Sequence, residues 1–135
     1  PMSGYGIDIN NFNVELFKSL GYNVGCSDLN IKNNVFFNKK KFSIVSCYHV
    51  LEHTYNPEIA IKNIFENMSN QSILHIEIPI EKNNPNFSLG HLIGFEEGEL
   101  LNLLKMTGFK VIYGGKSKIH ISGDCIERYI ATKGY

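Results

Sequence analysis

Residues 41–58, KFSIVSCYHVLEHTYNPE, constrain the fold most. Residues 42–47 are apolar and rich in Ile and Val, the pattern of a strand buried on both faces. A loop of ionisable side chains follows: Tyr48, His49, Glu52 and His53. Asn56-Pro57 then marks a helix start, with proline at the first helical position. A buried strand that empties into a polar loop and a helix belongs to an open α/β sheet. In such sheets ligands bind at the carboxyl ends of the strands.

The rest of the chain fits that frame. Residues 4–9 read as a strand ending in Asp8, and Asn10 or Asn11 caps a helix. Phe12, Leu16 and Leu20 give that helix an apolar stripe, with Val14 and Phe17 beside it, up to a C-cap at Gly21. Residues 23–26 form a second strand, parallel to the first by the handedness of βαβ units. Residues 31–41 read as a connection, with Lys39, Lys40 and Lys41 as a solvated face. A helix over residues 57–67 and a strand over 72–78 follow. Residues 80–92 read as a long loop of the kind used as a lid. A helix over 96–107 leads to strands at 109–113 and 125–132, an antiparallel pair around a Gly-rich turn region.

The 135 residues make one domain, 1–135. Formal net charge is zero, which argues against a nucleic-acid partner held by a broad basic face. Arg128 is the sole arginine, so no set of arginine forks can clamp a phosphate. Three widely spaced cysteines, Cys26, Cys47 and Cys125, suit a reducing compartment, and the expected location is cytoplasmic. No apolar run is long enough for a membrane span. The wealth of Asn, Lys and Ile reads as a bias of composition.

Residues 6–29, the segment VSCYHVLEHTYNPEIAIKNIFENMSNQSILHIEIP and the segment GHLIGFEEGELLNLLKMTGFKV together resemble class I S-adenosylmethionine-dependent methyltransferases of the small-molecule type. The resemblance implies a Rossmann-like α/β sheet, mostly parallel with an antiparallel C-terminal strand and helices on both faces. It begins at the family's second strand. Ser3-Gly4-Tyr5-Gly6 is not the family's (D/E)xGxGxG loop, so the sheet is expected to lack its first strand, through loss or because the sequence is a fragment.

The resemblance implies S-adenosylmethionine as cofactor. Asp8 and Ile9 would meet its ribose, Asp28 and Leu29 its adenine, and Cys47 and Tyr48 the region near the sulfonium. His49 would take a proton from a small-molecule acceptor, with His91 facing that acceptor from the lid. No metal is implied. Each residue has a plainer reading: Asp8 as a helix-start acid, Asp28 as a turn aspartate, His49 and His53 as loop-fixing histidines, His91 as a surface residue. His75 and His120 read as ordinary, and Glu77 as pointing to the cleft or to solvent.

Two other functions stay open. One is a non-catalytic module of methyltransferase shape that pairs, for example as a homodimer, through the sheet edge left open by the absent strand. Otherwise the second strand would slide beside the fourth. The other is a zinc hydrolase, because His49-Val50-Leu51-Glu52-His53 spells HxxEH. That motif needs a helix across residues 49–53.

Overall fold

A computed structural model of the chain describes residues 3–34, 36–81, 88–118 and 125–134. The first unit is β1 (Tyr5–Asp8), α1 (Asn11–Ser19) and β2 (Asn23–Cys26). Asn10 caps α1, its Oδ1 accepting the Phe12 N–H at 2.9 Å. The strands pair in parallel, from Tyr5 opposite Asn23 to Asp8 opposite Cys26. The expected apolar stripe of α1 is not buried. Phe12 is 74% exposed and Leu20 63%, while Val14 is the residue that packs. A two-stranded sheet is too narrow to cover more than one row of a helix.

The second unit is a four-stranded sheet in the order β3-β4-β6-β5. Its strands are β3 (Phe42–Tyr48), β4 (Met68–Pro79), β5 (Phe109–Lys118) and β6 (Cys125–Lys133). β3 and β4 are parallel, and β6 runs antiparallel to both β4 and β5. The mostly parallel α/β sheet with one antiparallel C-terminal strand is therefore as expected. Helix α2 (Pro57–Asn67) carries Pro57 at its start, and the Asn56 Oδ1 accepts the Ile59 N–H at 3.1 Å. Helix α3 is Glu99–Thr107, shorter than expected because Gly98 sits in a left-handed conformation at its cap. A 3₁₀ turn, Leu51–His53, follows β3.

Two strands are longer than the sequence suggests. β4 begins at Met68, where α2 runs straight into it. β5 continues through Gly114 and Gly115, the region read as a turn. Gly114 is required there by close approach: a Cβ would lie 2.1 Å from the Arg128 carbonyl oxygen.

Helices α2 and α3 cover one face of this sheet. Leu74, Ile76 and Ile78 of β4 pack with Ile61, Leu100 and Leu104 from the helices. Full burial of each such side chain is worth about 1.5–3 kcal/mol. The other face of β3 and β4 carries exposed Ile44, Tyr48 and Ile73. The connection after β2 is fastened to α2 by amides. Asn63, 1% exposed, donates to the carbonyls of Leu29 at 2.8 Å and Ile31 at 2.7 Å. Its Oδ1 accepts the Asn34 N–H at 3.1 Å. Asn67 accepts the Phe36 N–H at 3.0 Å and donates to the Asn34 carbonyl at 2.8 Å.

Among the described residues, the two sheets do not join. Between β1 and β3 lies a cavity of about 430 Å³, lined by Gly6, Ile7, Leu29, Ile44 and Cys47 among others. The rings of Tyr5, Phe37 and Phe42 meet beside it, with centroids 5.0–6.0 Å apart. The strands stand where the sequence places them, and the first has not slid against β3. Among the described residues, no helix is long and apolar enough to cross a membrane.

Candidate functional site

The carboxyl ends of β1 and β2 lie side by side, because the strands are parallel and the Ser27 N–H bonds to the Asp8 carbonyl at 3.0 Å. Asp8 accepts the Asn10 N–H at 2.8 Å through Oδ1 and the Asn13 amide at 3.0 Å through Oδ2. It therefore also serves the start of α1, the plainer of its two readings. The Ile9 side chain is exposed. Asp28 Oδ1 accepts both the backbone and side-chain N–H of Asn30, each at 2.8 Å, as turn aspartates do. Asn30 in turn accepts the N–H groups of Tyr55 at 2.8 Å and Asn56 at 3.1 Å. This ties the exit of β2 to the loop after β3. Leu29 packs on the main core and lines the 430 Å³ cavity with Cys47.

At the exit of β3, Cys47 is buried, and burial, helped by the nearby Glu52 charge, pushes its thiol up to about 12. A thiol held neutral in this way is no nucleophile. The Tyr48 hydroxyl bonds His75 Nδ1, and the two rings meet edge to face with centroids 4.9 Å apart. His75 is thus a partner of Tyr48 and not a bystander.

His49 takes a left-handed backbone, φ 50°. Its N–H bonds the Glu77 carbonyl at 3.1 Å, and its Nε2 lies 2.9 Å from Glu77 Oε1. Its Nδ1 lies 3.2 Å from Glu52 Oε1, within ion-pair reach but outside hydrogen-bond geometry. Glu77, buried, also pairs with Arg128. So Glu77 points neither to an open cleft nor to solvent at an edge; it bridges the imidazole and the guanidinium. The imidazole is thus held between two carboxylates, Nε2 toward Glu77 and Nδ1 toward Glu52.

His91 is not a surface residue: its side chain is 13% exposed and its Nδ1 bonds Glu81. Burial opposes the charge on Glu81, but hydrogen bonds from Ser88 and His91 outweigh it and hold the carboxyl below its usual range. The His53 and His91 rings meet edge to face, centroids 4.7 Å apart. Residues 51–53 form a 3₁₀ turn and not a helix spanning 49–53. His49 turns to Glu77 while His53 Nδ1 bonds the Gly90 carbonyl at 3.0 Å, so the helical HxxEH pair does not form. His120 lies outside the described residues.

Sequence reasoning missed Arg128, Asn30 and Asn63. Arg128 had a signal, being the sole arginine, placed in a strand. The asparagines had none beyond their number.

No family model and no curated protein matches the chain. Among solved structures, a methyltransferase from Methanosarcina mazei superposes with TM-score 0.75 at 16% identity, covering 98% of this chain and 82% of that one. One from Clostridium acetobutylicum gives 0.74 at 11%, covering 99% and 76%. The cyclase SpnF gives 0.76 at 12%, covering 98% of this chain but 66% of that one. The chain thus spans just under two thirds of the length of that relative. Likeness at these identities speaks for architecture: the chain has the fold of S-adenosylmethionine-dependent class I methyltransferases.

Proposed function

We propose that the chain binds S-adenosylmethionine across the exits of β1, β2 and β3 and serves methyl transfer to a small-molecule acceptor in the cytoplasm. The observation that carries this reading is the joining of those exits. Asn30 and Asn63 hold the Asp28–Leu29 segment against the β3 exit loop and α2, beside Asp8. The donor set fits the adenosyl half. Each Asp8 oxygen has one protein donor and room for a second, so the carboxylate can still accept ribose hydroxyls. Asp28 and Leu29 offer a carboxylate and an apolar wall to adenine. When bound, the cofactor supplies an activated methyl group. The task left to the protein is alignment and exclusion of water. His49, its side chain 44% exposed and its ring held by Glu77, which also pairs with Arg128, is the residue set to take the acceptor's proton. His91 stands on the segment that returns along the same loop.

Calorimetric titration with S-adenosylhomocysteine tests this. Binding is expected, weakened at least tenfold by Asp8→Ala, which removes a charge-assisted acceptor worth about 1.5–3 kcal/mol. An Asp8→Ala affinity equal to that of the parent, or no binding by the parent, would sink the reading.

A second reading, a non-catalytic partner module, is favoured by the cavity between the unpaired edges of β1 and β3. Facing strand edges recruit another chain, and a homodimer is one way to cover them.

A further inference from the structure

We propose a divalent-metal site, zinc in type, formed by Glu52, His53 and His91. One ligand atom from each lies within 4.8 Å of the other two. Glu52 is 0% exposed, and neither carboxylate oxygen has a hydrogen-bond partner. A buried carboxylate in that state costs several kcal/mol unless a cation meets it. His49 Nδ1, at 3.2 Å, is the competing partner for that charge.

The two histidines are prepared as ligands. His53 Nδ1 faces the Gly90 carbonyl at 3.0 Å, and His91 Nδ1 faces the Glu81 carboxylate. Metal-bound histidines donate one ring N–H to a carbonyl or carboxylate in this way while the other ring nitrogen serves as the ligand. Glu81 is itself held by the Ser88 hydroxyl at 2.7 Å. The backbone sets the spacing: the Glu52 carbonyl accepts the N–H groups of Leu92 at 2.7 Å and Ile93 at 3.1 Å. That clamp keeps His91 beside the 3₁₀ turn that carries Glu52 and His53. Zinc bonds to N and O of about 2.0–2.2 Å require the trio to draw in by roughly 1 Å. A His₂Glu set leaves a fourth position for water or a ligand oxygen. These are not the residues of the helical HxxEH reading, which pairs His49 with His53.

The test is Zn²⁺ titration of the chelator-stripped chain by calorimetry, with the visible spectrum of Co²⁺ as a second readout. It uses a Cys26→Ser background, because that thiol is exposed. One equivalent is expected. His53→Ala and His91→Ala should each weaken binding 10–100-fold, the range for loss of a group that tunes a site or more. Glu52→Gln should do the same, and His53→Ala, at an exposed position, keeps the test valid if Glu52→Gln fails to fold. His75→Ala should bind as the parent does. The proposal fails if no zinc is taken up, or if uptake survives both histidine changes. It also fails if uptake depends on His49 while His91→Ala binds normally.

Discussion

A left-handed backbone at His49 costs about 1–2 kcal/mol in a residue with a Cβ. The bonds to Glu77 from its N–H and its ring hold it there. This could not be read from the sequence, since the sheet register that brings Glu77 opposite Tyr48 and Arg128 is a tertiary fact. Asp8 and Asp28 could be read, because acids at strand ends follow from the βαβ pattern. The buried amides are a second case. Asn63→Ala strands the carbonyls of Leu29 and Ile31, and should lower stability by about 2–4 kcal/mol in urea melts. Glu81 gives a pH signature. Its folded carboxyl lies below its unfolded value of about 4.3, so its stabilisation is complete above that pH. It is lost as pH falls through the lowered folded value. Urea midpoints should drop below about pH 4.3, and Glu81→Gln should flatten that part of the profile.

At the scale of elements, the six strands and three helices among the described residues stand near their expected places. Their cores show as Ile- and Val-rich runs, and the starts of α1 and α2 carry visible asparagine caps. The ends went astray where local signals mislead. Gly114 reads as a turn residue, yet it lies inside the β5–β6 ladder against the Arg128 backbone. Gly114→Ala should therefore destabilise the protein by about 2 kcal/mol or more, measured as a lowered melting temperature, since a Cβ must push the two strands apart. Gly115→Ala meets nothing within 4 Å, though its φ of 153° adds backbone strain, so it should cost less. The exposed row of α1 misled for another reason: periodicity tells that a helix is amphipathic, not what lies opposite.

For the whole molecule, the gap between β1 and β3 leaves Ile44, 60% exposed, on a strand with an unpaired edge. If that edge pairs copies of the chain, sedimentation equilibrium should show a dimer that Ile44→Lys disperses, as edge lysines do. A monomer at all concentrations would remove the partner-module reading in its homodimer form. The gap also divides the hydrogen-bond ladders into two sets, linked through the Asn30, Asn63 and Asn67 amides and a few aromatic rings, among other contacts. Ladders that share no rung need not break together. A calorimetric trace of the protein alone should show two steps, the smaller for the Asp8–Asp28 half. A nucleoside that grips Asp8 on one side and reaches Tyr48 on the other would weld the halves, and the two peaks should merge into one.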